Sequence, residues 1–250
     1  DARHGDLVRL AEDAFGVWGG SAVAPGPGHG AASGPADPAP PDVRLALVHR
    51  PDATQSELRV GQLAAARHTP DYHALLVLNA ILGGQFVSRL NMNLREEKGF
   101  TYGVRSSFDF RRGRGLFVVQ LAVATSATAD AVRESLSEIA AIHGPRPATA
   151  RELDVARASL TRGYPRSFET VEQIARAVLQ MALYDLSSDH FERFVPSIAR
   201  IGTGEVTAAA RAHLAPERAV VAIVGDHARV SSSLSQLGLG EPMLLDATQD

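Results

Sequence analysis

The stretch from Tyr102 to Arg111 alternates without a break. Tyr102, Val104, Ser106, Phe108 and Phe110 fall on one side, and Arg105, Ser107, Asp109 and Arg111 on the other. A period of two means an extended chain with one covered face, because successive side chains of a strand point to opposite sides. The run RRGRG at 111–115 then signals a turn, and LFVVQLAVA at 116–124 reads as a second strand. The two are expected to pair as a hairpin. This commits the chain to a sheet that buries one face.

The segments around the hairpin extend the pattern. VRLALVHR (43–50) and SELRVGQL (56–63) read as strands with Pro51–Thr54 as the turn between them. PDYHALLVLNAILGG (70–84) is expected to be a helix with Pro70 near its start and Gly83-Gly84 at its end. FVSRLNMNLREEK (86–98) is expected to be a second helix with Phe86, Leu90 and Leu94 on one face. Four or five helices should follow across 128–214, then a strand RAVVAIVG (218–225) and a last helix from about 228.

Upstream, DLVRLAEDAF (6–15) places Leu7, Leu10, Ala11 and Ala14 at helical spacing. Then 18 of the 23 residues from Gly19 to Pro41 are Gly, Pro or Ala, too little side chain to repay ordering, so this stretch is expected to be an extended linker. Its glycines lack the preceding strand and the following Lys and Ser/Thr of a phosphate loop. The expected organisation is a short helical segment at 1–18, a linker at 19–42 and one domain at 43–250. DARHGDLVRLAEDAFG also echoes DHARVSSSLSQLGLG (226–240), as if the chain carried the last helix of one domain copy before a second copy. The start has no Met and no apolar leader, so it reads as a piece of something longer.

Composition narrows the function classes. The chain has 250 residues, 45% apolar and 21% charged, with a net charge of -3 that gives no general attraction to nucleic acid or anionic lipid. Absence of cysteine excludes disulfides and thiolate metal sites. Tyr72–Ser88 is uncharged, but its His73, Asn79, Gly83, Gly84 and Gln85 make it a poor membrane span, and none is expected.

The nine histidines invite a zinc reading, and His68 and His73 are the most useful pair. The inverted motif His-x-x-Glu-His sets its histidines four apart on one helix face, with the Glu to handle water. Here the spacing is five, Pro70 interrupts, and the intervening acid is Asp71, so no metal site is expected in this chain. No Gly-x-Ser-x-Gly is present, and RRGR at 111–114 reads as a solvated hairpin tip. Arg95 and Tyr102 remain, on either side of Gly99. One reading makes Arg95 a favourable charge at a helix C-terminus and Tyr102 a core aromatic. The other makes them paired donors, able to hydrogen-bond a carbonyl oxygen as negative charge develops on it.

The run ILGGQFVSRLNMNLREEKGFTYG (81–103) resembles the second-domain segment of the pitrilysin and mitochondrial processing peptidase family of zinc metallopeptidases. The resemblance extends from VHRPDATQSELRVG through SFETVEQIARAV to AVVAIVGD. It implies an α+β fold, a largely antiparallel sheet with helices packed against it, as one copy of that family's domain repeat. It further implies that Arg95 and Tyr102 occupy the family's Arg and Tyr positions, seven residues apart, and serve a zinc site in a homologous domain or subunit. Gly83 and Gly84 correspond to the loop preceding the pair, a substrate-binding element. Residues 1–18 then correspond to the closing helix of the preceding copy. The missing His-x-x-Glu-His marks the inactive half, so zinc is expected in the partner and a peptide as substrate. The alternative is a structural or binding subunit with no proteolytic role.

Overall fold

In the computed structural model, residues 3–17 and 41–246 are described, and the chain divides into two units, residues 1–38 and 39–250. The first unit contains helix α1 (His4–Phe15), all of whose side chains are exposed. The linker expected at 19–42 lies outside the described residues except for Pro41 and Asp42.

The second unit is built on six strands: β1 (Leu45–His49), β2 (Gln55–Ala64), β3 (Val104–Asp109), β4 (Gly115–Ala124), β5 (Val220–Gly225) and β6 (Met243–Leu245). They lie in the order β3-β4-β2-β5-β1-β6. The hairpin read from the alternation is present, with Val104 opposite Leu121 and Phe108 opposite Phe117. The pairs β3–β4, β4–β2 and β2–β5 are antiparallel, whereas β5–β1 and β1–β6 are parallel. The sheet is therefore mixed, with its antiparallel part at the β3 end.

Register explains which face is covered. Val104, Leu121, Leu58, Ile223 and Leu47 form one row across five strands, and all five are buried. The next buried row is Ser106, Val119, Val60, Val221 and Leu45. Each fully buried Leu or Val in these rows contributes roughly 1.5–3 kcal/mol relative to exposure. Helices α2 (Tyr72–Leu82) and α3 (Thr128–His143) pack directly on the sheet. Helices α4 (Ala150–Arg162), α6 (His190–Arg200), α7 (Thr203–His213) and α8 (His227–Leu234) contribute Ala156, Ile198, Val206 and Val230 to the same core. Helix α5 (Val171–Tyr184) buries none of its residues. Among the described residues no helix is long and apolar enough to cross a membrane.

The connection Arg50–Thr54 joins β1 to β2 without making them neighbours, because β5 lies between them. Arg50 N–H donates to the Gly225 carbonyl at 2.8 Å, and Asp52 N–H donates to Asp226 Oδ2 at 3.2 Å. Asp52 turns the chain with a left-handed φ of 58°. The turn thus straddles the end of β5 rather than closing a hairpin.

Two local expectations change. The segment 86–98 is not one helix: the chain from Gly83 to Ser88 is irregular, and Asn91–Glu97 is wound as a π-helix. Leu90 and Leu94 are fully buried as expected, but Phe86 is 65% exposed because it precedes the helical turn. Tyr102 lies two residues before β3 and is 94% exposed, so it does not share the covered face with Val104 and Ser106.

Candidate functional site

The site is built where α2 ends, the π-turn begins and β3 starts. Gly83 and Gly84 both donate their N–H to the Asn79 carbonyl, at 2.9 and 2.7 Å. Ser106 N–H donates to the Gly83 carbonyl at 3.1 Å, and Ser106 Oγ donates to Asn79 Oδ1 at 2.8 Å. A Cβ on Gly83 would lie 2.5 Å from Ser106 Oγ and 2.9 Å from Leu90 Cδ1; one on Gly84 would lie 2.6 Å from Asn79 Nδ2. Glycine is needed here because the backbone crosses β3 in contact with it.

Asn91, buried in the π-turn, ties the same loop to β3. Its Nδ2 donates to Gln85 O at 3.2 Å and to Val104 O at 2.9 Å, and its Oδ1 accepts from Val104 N–H at 3.1 Å. At the other end of the turn, Phe100 N–H donates to Leu94 O at 2.9 Å across Gly99, whose φ of 64° is left-handed. Thr101 Oγ1 then donates to Gly103 O at 2.9 Å and accepts from Gly103 N–H at 3.2 Å. This small ring, fixed at both ends, pushes Tyr102 outward into solvent.

A cleft of about 740 Å³ opens beside it, lined by Gly83, Gly84, Phe86, Tyr102, Arg105 and Gln120 among others. The structure therefore brings Tyr102 and the glycine pair to one place. Arg95 reaches it indirectly: its guanidinium carbon lies 4.1 Å from the centre of the Phe86 ring, and Nη1 pairs with Glu96 at 2.6 Å. Arg105 and Gln120 were not singled out from sequence. The alternation that put Arg105 on the polar side of β3, and the single polar residue inside LFVVQLAVA, were the available signals.

A larger groove of about 1140 Å³ is lined by Arg89, Glu138, Arg146 and Glu152 together with Met92 and Val155. Four of its charges are engaged with one another, while Glu97 and Arg151 also line it. Arg89 grips Glu152 with two hydrogen bonds, 2.6 and 2.8 Å, and Arg146 pairs with Glu138 at 2.6 Å. Burial pushes the Glu152 carboxyl up, but Arg89 and the Thr149 cap outweigh it and hold its pKa at about 2. By contrast, the side chains of Tyr102, Arg105 and Gln120 make no hydrogen bond to other described residues. The open donors of the smaller cleft stand together with Tyr102 and the Gly83-Gly84 turn, which makes it the candidate site.

The described residues do not fit a zinc ion. Among the described residues no three His, Asp or Glu side chains converge on one point. His68 is exposed, whereas His73 sits between Tyr72 and Phe194, with ring centres 5.2 and 5.9 Å away. Burial, with His190 and Arg67 nearby, pushes the His73 pKa down. His190 stands 2.9 Å from Nη2 of Arg67, so its Nε2 accepts, and burial and Arg67 lower its pKa too. The Arg67 guanidinium is buried and lies 3.6 Å above the Tyr72 ring. This is an aromatic core that shelters one arginine.

Comparison with known proteins places the chain in a class. The family described as the peptidase M16 inactive domain matches residues 1–160, and the chain belongs to that family. An uncharacterized zinc protease of Mycobacterium bovis is 30% identical over 237 residues, 94% of this chain and 52% of the relative. The crystal structure of a peptidase M16 inactive domain from Pseudomonas fluorescens has a TM-score of 0.69 at 28% identity, covering 76% of this chain and 45% of that one. A protease from Helicobacter pylori shares the fold with a TM-score of 0.67 at 14% identity, over 90% of this chain and 53% of that one. The chain thus spans about half the length of the Mycobacterium bovis relative, 52%.

Proposed function

We propose that this chain is the non-catalytic half of a zinc metalloendopeptidase, and that Arg95 and Tyr102 act on a peptide held against a homologous domain. In this reading residues 1–18 close a preceding domain copy, 19–42 are a linker and 43–250 form the inactive peptidase-like domain. The zinc belongs to the partner, which carries His-x-x-Glu-His, and supplies Lewis-acid activation of water there. This chain's part is to enclose the peptide and to offer two donors to its carbonyl oxygen, with Gly83 and Gly84 forming the adjoining wall.

The observation that carries the reading is the placement of Tyr102. A tyrosine that served the core would be buried with its hydroxyl satisfied. This one stands 94% exposed on a turn fixed by Thr101 and Asn91, beside a cleft. The fixed turn sets where the phenol leaves the backbone, so it can meet a substrate oxygen without a rearrangement of the chain. The outward edge of β3 is blocked at its start, because Asn91 takes both backbone groups of Val104 and the Gly83 carbonyl takes the Ser106 N–H. The peptide is therefore expected across the cleft in this half, with any strand addition on the partner's sheet.

A binding subunit without proteolytic role is the second reading, and α5 favours it. Val171, Val178 and Leu179 are 85%, 58% and 65% exposed, an apolar face suited to a protein neighbour. Mixing the chain with a homologous domain bearing His-x-x-Glu-His separates the two. Peptidase activity that appears only in the mixture supports the first; a stable but inactive complex supports the second.

A further inference from the structure

Arg105, Gln120 and Arg59 are register partners: Arg105 lies opposite Gln120, and Gln120 opposite Arg59. All three side chains stand on the face of the sheet that the helices leave open, and all line the 740 Å³ cleft beside Tyr102. Neighbouring strands are about 4.8 Å apart, so the backbones of the two arginines flank that of Gln120 within roughly 10 Å.

The charges in this row are unequal in their engagement. Arg59 Nη1 donates to Glu57 Oε2 at 3.2 Å and to Leu58 O at 2.9 Å. Arg105 has no ion pair or side-chain hydrogen bond with another described residue, and neither has the Gln120 amide. Glu57 is the acidic residue lining the cleft, against Arg59 and Arg105, so the cleft carries a net positive charge in a chain whose net charge is -3. A guanidinium matches a carboxylate with two parallel, charge-assisted donors, a pairing that a neutral carbonyl or amide does not complete.

We propose that the Arg105–Gln120–Arg59 row is a subsite for an acidic side chain of the bound peptide, with Arg105 as its specificity-determining residue. This rests on the reading of the Tyr102 cleft as a peptide site and adds the class of residue it selects. An Asp or Glu side chain entering the cleft meets Arg105 and the Gln120 amide together, whereas Lys or Arg meets like charge.

The test uses the whole 250-residue chain and fluorescent peptides with blocked ends, identical except for Glu, Gln or Lys at one central position. The Glu peptide is expected to bind about 3- to 5-fold more tightly than the Gln peptide, the scale of a solvent-exposed pair, and the preference should fade with salt. Arg105→Gln should abolish the preference and Arg105→Glu should reverse it toward Lys, with the melting temperature unchanged. Equal binding of all three peptides that Tyr102→Ala still weakens overturns the acidic subsite but leaves the cleft as a peptide site. A Glu preference that survives Arg105→Glu also overturns it. No binding of any peptide up to millimolar concentration, by the chain alone or combined with a zinc-bearing homologous domain, overturns both readings.

Discussion

Asn91 and Val104 pair as two strand residues would, although Asn91 does so with its side chain. Nδ2 donates to Val104 O at 2.9 Å, and Val104 N–H donates to Oδ1 at 3.1 Å. The amide imitates a strand edge and stops β3 from recruiting another chain at Val104. It also fixes the start of the strand, two residues beyond Tyr102. Asn91→Ala leaves buried backbone groups without partners and should cost about 2–3 kcal/mol, read as a lower urea midpoint. Unchanged stability would show that water replaces the amide and that the Tyr102 loop is not anchored there.

Gly83→Ala drives a methyl against Ser106 Oγ at 2.5 Å and Leu90 Cδ1 at 2.9 Å. Ser106 is held by Asn79, so it yields at a cost, and a destabilisation of about 1–3 kcal/mol is expected. Combining it with Ser106→Gly should cost less than the sum of the two single changes, because they share one contact. Strict additivity in denaturation would contradict the packing account of this glycine.

The hairpin β3–β4 was legible because period-two alternation survives in any half-buried strand. The buried face of α2 was legible for a similar reason. The insertion of β5 between β1 and β2 was not, since residues 220–225 lie far along the chain from both and no local signal marks their pairing. The π-winding of Asn91–Glu97 was also hidden, because Leu90 and Leu94 fit an α-helical spacing equally well. Alternation wrongly assigned Tyr102 to the covered face. The Thr101–Gly103 ring ends the strand before it, a turn set by one hydroxyl rather than by a pattern. Arg95 and Tyr102 emerged through family resemblance, while Arg105 and Gln120 needed the register.

His73 and His190 both have lowered pKa values, by burial first and then by positive neighbours. The folded state therefore binds fewer protons than the unfolded chain near the ordinary histidine pKa of about 6.5. Their contribution to stability is fully present above that value and is lost as pH falls through the lower folded values. Protonating His190 also puts a cation beside Arg67 in place of an acceptor. His190→Gln, which keeps an acceptor, should flatten the fall in stability below the ordinary histidine pKa of about 6.5, measured by melting temperature. An unaltered slope would remove this pair from the pH response.

Glu152 acts further down the scale. Its folded pKa of about 2 lies below the ordinary 4.5, so its stabilisation is present above 4.5 and declines as pH falls toward 2. Glu152→Gln should lower stability at neutral pH and narrow the gap to wild type in that acid window. Because the carboxyl is partly exposed, the effect should be small, on the order of 1 kcal/mol, and reduced by salt. A difference that stays constant from neutral pH down to 2 would contradict the pairing with Arg89.

The account rests most heavily on Arg95 and Tyr102 as donors to a substrate oxygen. The decisive measurement is peptidase kinetics on the chain combined with a zinc-bearing homologous domain, comparing wild type with Arg95→Ala and Tyr102→Phe. Each change should lower kcat on the order of 100-fold, the usual cost of losing one preorganised oxyanion donor. Zinc content should remain as in wild type, since neither residue is proposed as a ligand, and melting temperature should change little, Arg95→Ala losing only its contacts with Phe86 and Glu96. The double change should cost less than the product of the two, because both groups act on one oxygen. Wild-type kcat in both single variants, at unchanged stability, would contradict the claim and leave the binding-subunit reading in its place.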